Sequence, residues 1–133
     1  RHIMETEYLN APGGLSGNDD AGQMSAWYIF ASLGFYPVCP GSPFYVLASP
    51  SFPKAVLHLE NGKSFILQAK NASEENIYIQ KVTLNGKAYT KNYISHKDII
   101  AGGEMVFTMG NTPNKTWGNT PEDCPPSLIE VAE

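Results

Sequence analysis

The eleven residues from Gln23 to Leu33 constrain this chain more than any other stretch. Met24, Trp27, Tyr28 and Ala31 recur at i, i+3, i+4 and i+7, the spacing of one helical face. Ile29, Phe30 and Leu33 widen that face almost all the way round. The sequence therefore predicts a helix buried on every side, packed against other helices. Gly34 supplies a C-terminal stop, and Pro37 follows where the helix cannot continue. Upstream, Ile3 to Leu9 reads as the closing turns of another helix, ended by the breakers Asn10-Ala11-Pro12-Gly13-Gly14.

Beyond residue 38 the signals change period. Phe44-Tyr45-Val46-Leu47 is a short strand between Pro-containing turns. Ala55 to Leu59 alternates and runs into Asn61-Gly62, a strong short hairpin signal, with Ser64 to Ala69 as the return strand. Ile77 to Leu84 meets a second such turn at Asn85-Gly86, followed by Lys87-Ala88-Tyr89. Tyr93-Ile94 is a further strand, Ser95 caps one helical turn through Ile100, and Glu104 to Met109 closes the series. Six or seven strands at this spacing predict a small antiparallel β-sandwich. The connections are too short for crossover helices, which argues against parallel pairing. Gly110 to Glu133, rich in proline, reads as an extended tail on the surface or partly disordered. The fold class expected is α+β, mainly β.

Composition excludes several functions. With 42% hydrophobic and 17% charged residues in 133, the chain is that of a globular protein with one core. The net charge of −4 and the lack of a Lys/Arg cluster exclude a nucleic-acid partner. No apolar run spans a bilayer, since Ala26 to Val38 is broken by Ser32, Gly34 and Pro37, and no signal peptide is visible. The opening Arg1-His2-Ile3-Met4 reads as the middle of a longer chain. Cys39 and Cys124 lack the close local pairing of zinc ligands and are expected to be free thiols, with a disulfide as the alternative.

The chemistry concentrates in Gly17-Asn18-Asp19-Asp20-Ala21-Gly22, just ahead of the apolar helix. Flanking glycines let the backbone take conformations that other residues resist and let ligands approach. The plainest reading is a helix cap, in which Asp19 or Asp20 satisfies free N–H groups and the helix dipole. One aspartate suffices for that. A calcium loop of the EF-hand type fails, because Gly22 and Ile29 fall where ligands are required. A carboxylate at such a helix end also suits a general base that activates water, as inverting glycosidases need. Sugar binding alone, with Asn18 and Asp19 on hydroxyl groups, is the remaining reading. Local sequence does not separate the last two.

The run from Gly17 through Phe30, continuing in Gly34-Phe35-Tyr36-Pro37-Val38 and Pro40-Gly41, resembles glycoside hydrolase family 92, the calcium-dependent inverting exo-α-mannosidases. Further similarity lies in Ser49-Pro50-Ser51-Phe52, Leu57 to Gly62, Val82 to Gly86, Gly102-Gly103 and Pro113 to Gly118, so it covers nearly the whole chain to about residue 118. The resemblance implies that residues 1–38 end the helical (α/α)6-barrel catalytic domain, 39–118 form the β-rich C-terminal region and 119–133 a tail. It implies Asp20 as the catalytic base and Asn18 as support for the base or the water; the loop itself leaves Asp19 as a cap or a contact to a substrate hydroxyl. An amide can orient water but cannot take its proton. The general acid, a Glu, and the calcium ligands are expected outside this chain, which supplies no metal ligand. Hydrolysis of terminal α-mannosidic linkages of glycans, by default α-1,2, in a periplasmic or extracellular setting is what the resemblance implies. The 133-residue chain alone is expected to be inactive.

The rival from another class is a non-catalytic carbohydrate-binding or structural β-sandwich module whose polar loop merely caps a helix. His2, His58 and His96 are scattered and read as structural or exposed, and Trp27 and Tyr28 as core residues. Gln23 and Ser25, within a turn of Asp20, are expected to support it. Asn71-Ala72-Ser73 and Asn114-Lys115-Thr116 match glycosylation sequons, which matter only in a eukaryotic secretory pathway.

Overall fold

A computed structural model describes residues 1–127 of the chain. The helical part comes first: α1 (His2–Thr6) and α2 (Gln23–Leu33). Between them the chain doubles back, with Tyr8 bridged to Leu15 and the Leu9 N–H donating to the Gly14 carbonyl at 2.8 Å. That turn is so tight that a Cβ on Gly14 would lie 1.9 Å from the Leu9 carbonyl oxygen, so only glycine fits. Gly34 ends α2 at φ 89°, its N–H shared between the Phe30 and Ala31 carbonyls, as the sequence predicts.

Two sheets follow. The smaller has the order β1 (Phe35–Tyr36), β2 (Phe44–Leu47), β7 (Tyr93–Ser95), all antiparallel. The larger has the order β3 (Lys54–His58), β4 (Ser64–Lys70), β8 (Gly103–Gly110), β5 (Tyr78–Leu84), β6 (Lys87–Tyr89). At Asn85-Gly86 both residues have positive φ, 50° and 78°, the geometry of the two-residue hairpin turn that this dipeptide favours. α3 (His96–Ile100) is capped by Ser95, whose Oγ accepts from the Asp98 N–H at 3.1 Å.

The large sheet is antiparallel except at one place. β4 and β8 run parallel, from Phe65 opposite Gly103 to Lys70 opposite Thr108, which corrects the wholly antiparallel expectation. Short local connections exclude parallel pairing only between consecutive strands. Here residues 71–102, carrying β5, β6, β7 and α3, make the crossover.

Alternation on these two strands builds the core. Phe65, Leu67 and Ala69 on β4 and Met105, Phe107 and Met109 on β8 all point inward. Val82 of β5, Phe35 and Leu47 of the small sheet, Ile94 of β7 and Ile99 of α3 join them in one cluster. Met105 and Phe107 are 0% exposed.

The apolar helix departs from expectation. Only Ser32 of α2 is buried, while Ile29 is 59% exposed. Phe30 and Leu33 pack on the β-sheet core, and Met4 of α1 lies beneath Ser32, its sulfur 3.5 Å from Ser32 Oγ. Among the described residues nothing covers the opposite face, where Ile29 projects.

The segment after β8 is better ordered than an extended tail. The Trp117 indole donates to the Tyr89 carbonyl at 2.9 Å, and Pro121–Asp123 form a 3-10 turn closed by a Thr120–Asp123 capping box. The part of that tail beyond Ser127 lies outside the described residues. Cys39 and Cys124 are free and exposed.

Candidate functional site

The polar loop ahead of α2 is held by three consecutive left-handed residues: Asp20 at φ 47°, Ala21 at 60° and Gly22 at 101°. For Asp20 and Ala21 this conformation costs roughly 1–2 kcal/mol each, because the Cβ crowds the carbonyl oxygen. The strain persists because the turn is over-determined. The Asp19 carbonyl accepts from the N–H groups of Gly22 at 3.1 Å, Gln23 at 2.7 Å and Met24 at 3.4 Å.

The two aspartates divide their tasks. Asp19 is the cap: its Oδ1 accepts from the Ser25 N–H at 2.9 Å and its Oδ2 from the Ser25 hydroxyl at 3.0 Å. These bonds satisfy one of the free N–H groups of the first turn with a negative charge. Asp20 is exposed, and its carboxylate has no hydrogen-bond partner among the described residues. Asn18 is tied to it through the backbone, the Asn18 Oδ1 accepting from the Asp20 N–H at 3.3 Å. The loop therefore brings Asn18 and Asp20 together and leaves one uncommitted carboxylate facing outward. Ser25, expected to support Asp20, serves Asp19 instead.

Local sequence does not reveal the part played by Tyr8. Its ring stacks on Trp27 with centroids 5.6 Å apart and meets Tyr28 at 4.9 Å, while its hydroxyl donates to the Met24 carbonyl at 3.0 Å. Burial, then the negative charge of Asp19 and the phenol of Tyr36, push the Tyr8 hydroxyl above its usual range, so it stays a donor. Tyr8, Leu9, Asn10 and Tyr28 line an open cavity of about 410 Å³ on this side of the molecule. No periodicity links Tyr8 to α2, because the contact depends on the Gly14 turn. Among the described residues no three His, Cys, Asp or Glu side chains gather as metal ligands.

Comparison with known proteins decides the family. Residues 1–111 match the glycosyl hydrolase family 92 catalytic domain. The chain belongs to family 92. A relative from Arthroderma benhamiae, described as an uncharacterized secreted glycosidase, is 39% identical over 128 residues, covering 94% of this chain and 16% of the relative. A family 92 α-mannosidase of Bacteroides thetaiotaomicron, solved in complex with mannoimidazole, superposes with a TM-score of 0.91 at 42% identity, covering 96% of this chain and 17% of that one. An inverting family 92 mannosidase of the same organism gives 0.88 at 43% identity, covering 95% and 17%. The chain thus spans about one sixth of the length of these family 92 relatives. The same comparisons bear out the expected α+β, mainly β fold of this region. No helix among the described residues is long and apolar enough to cross a membrane.

Proposed function

We propose that this chain acts as the C-terminal part of a larger family 92 enzyme that hydrolyses terminal α-mannosidic linkages of glycans with inversion. In this reading Asp20 is the general base. The observation that carries it is the pairing of a strained backbone at Asp20, φ 47°, with a carboxylate left without a partner. Strain held in place at a non-glycine residue marks positions where geometry matters more than stability. A base must also keep its lone pairs free for the water it deprotonates, and Asp19 does not meet that requirement. Membership of family 92 and structural likeness to α-mannosidases support the substrate class.

The chemistry is a single displacement. Asp20 takes a proton from water as the water oxygen attacks the anomeric carbon from the face opposite the leaving group. Asn18 holds the loop through the Asp20 N–H and leaves its amide N–H groups to orient the water or a sugar hydroxyl. A Glu from another part of the enzyme protonates the departing oxygen. Asp19 contributes indirectly, by fixing the start of α2.

Calcium does not fit the described residues by themselves. It needs six to eight oxygen ligands, whereas Asp19 is already committed to Ser25 and no three acidic, His or Cys side chains gather among the described residues. In this reading its ligands lie elsewhere in the enzyme. The α-1,2 linkage preference remains part of the proposal. So does secretion, which the fungal relative's description as a secreted glycosidase supports.

The test is hydrolysis of an aryl α-mannoside by the full-length enzyme, followed by proton NMR before mutarotation. The proposal expects β-mannose as the first product and no turnover by the 133-residue chain alone. α-Mannose as the first product, or turnover by the isolated chain, would overturn it.

A further inference from the structure

A second cavity, of about 370 Å³, has none of its lining residues in the Asn18–Asp20 loop. It is lined by Ser49, just past the end of β2, and Asn92, just before β7; by Ile77, just before β5, with Tyr78 and Ile79 at its start; and by Trp117 from the segment after β8. A β-bulge shapes this corner. Pairing between β5 and β8 skips Gln80, whose carbonyl accepts from Asn114 Nδ2 at 2.7 Å and so draws the Trp117 segment against β5.

Two polar atoms here are unexplained by the fold. Ser49 Oγ and Asn92 Oδ1 are buried and have no hydrogen-bond partner among the described residues. Folded proteins pair nearly all such atoms, so an orphan calls for a missing partner. The Asn92 amide is not turned the wrong way round: its Nδ2 donates to the Gly118 carbonyl at 3.2 Å, and reversing it would set oxygen against oxygen. Asn92 Oδ1 therefore requires a donor from outside the described residues. One trapped water fills only about 30 Å³ of such a space.

The remaining walls indicate what kind of molecule supplies that donor. No charged side chain lines the cavity, which selects a neutral ligand. Trp117 and Tyr78 present aromatic surface, and Ile77 and Ile79 add apolar surface. The Trp117 ring is pinned by its bond to the Tyr89 carbonyl, while the Tyr78 hydroxyl makes no bond among the described residues. Hydroxyl donors beside a C–H face that packs on aromatic rings, with no net charge, describe a pyranose ring. The volume falls within the roughly 300–1,000 Å³ range of small-molecule sites. We propose that this cavity is a binding site for a neutral sugar unit, with Asn92 Oδ1 and Ser49 Oγ on its hydroxyls and Trp117 and Tyr78 against its C–H face.

The test is calorimetric titration of the full-length enzyme carrying Asp20→Asn, with methyl α-mannoside, N-acetylglucosamine and, as a charged control, glucuronate. Expected is saturable binding of a neutral sugar, weakened at least tenfold by Asn92→Ala and by Tyr78→Ala, with weaker or no binding of glucuronate. Tyr78→Ala keeps the test decisive should Asn92→Ala loosen the Gly118 contact, because Tyr78 is 38% exposed and its hydroxyl makes no bond among the described residues. Binding indifferent to both substitutions would overturn the proposal, as would a sugar-soaked crystal showing ordered water or another chain segment in the cavity. Because the readout is binding, its failure is distinguishable from failure of the mannosidase reading.

Discussion

Substituting Asp19 separates a residue that shapes the loop from one that touches substrate. Asp19→Ala deletes two hydrogen bonds, to the Ser25 N–H at 2.9 Å and to its hydroxyl at 3.0 Å, and removes a negative charge held against the start of α2. Loss of a capping side chain costs about 0.5–2 kcal/mol, and the dipole term about 0.3–1 kcal/mol, the two overlapping. The backbone bonds to the Asp19 carbonyl survive, and water reaches the freed N–H. The net cost is therefore about 1–2 kcal/mol. In a chain of this size it lowers the Tm by roughly 4–7 °C, followed by circular dichroism. Asp19→Asn, which keeps an acceptor, should lose less than half of that. Ser25→Ala combined with Asp19→Ala should cost little more than Asp19→Ala alone, since both delete the same contact. In the full-length enzyme KM should change little. An unchanged Tm together with a large rise in KM would refute the capping argument and make Asp19 a substrate ligand.

Other consequences are read by separate measurements. Phe107→Ala, at a position 0% exposed in the centre of β8, should destabilise the chain by about 3–5 kcal/mol in a denaturant titration. Asp123 carries an acid sensitivity. The hydroxyls of Thr90 and Thr120 hold its carboxyl below the ordinary 3.8, outweighing desolvation, with the Thr120 N–H and the Lys91 charge adding to them. Its contribution is thus fully present above that ordinary value and is lost as pH falls through the lowered one. Stability measured between pH 5 and about pH 2 should decline less steeply in Asp123→Asn than in the wild-type chain. Calcium chelation should abolish turnover of the full-length enzyme while leaving the thermal unfolding of the 133-residue chain unchanged.

The β-rich half was largely legible because its signals are local. Alternation marks β3, the Asn61-Gly62 signal marks β4 as its return strand, and Asn85-Gly86 sets a turn that both residues adopt with positive φ. The Ser95 cap likewise needed only three residues of context. The parallel pairing of β4 with β8 was not legible, because it joins strands separated by residues 71–102. The apolar pattern of α2 does form a helix, but the full burial it predicts requires surfaces that the described residues do not supply. At the candidate site, Asn18, Asp19 and Asp20 stood out by composition, and their division of labour did not. Which aspartate reaches Ser25 is decided by left-handed backbone at Asp20, Ala21 and Gly22, and only the glycine advertises that in sequence. The role of Tyr8 is hidden for a related reason, since its contacts with Trp27 and Tyr28 exist only after the Gly14 turn has formed.

The base assignment itself is tested most directly by Asp20→Asn in the full-length enzyme. The substitution is nearly isosteric and leaves the Asn18 and Asp19 contacts in place, because Asp20 makes its bond through the backbone N–H. Circular dichroism and Tm should match the wild type. The account predicts that kcat on an aryl α-mannoside falls by at least about a hundredfold, the lower end of what general base catalysis contributes. Near-normal turnover by a correctly folded Asp20→Asn enzyme would contradict it.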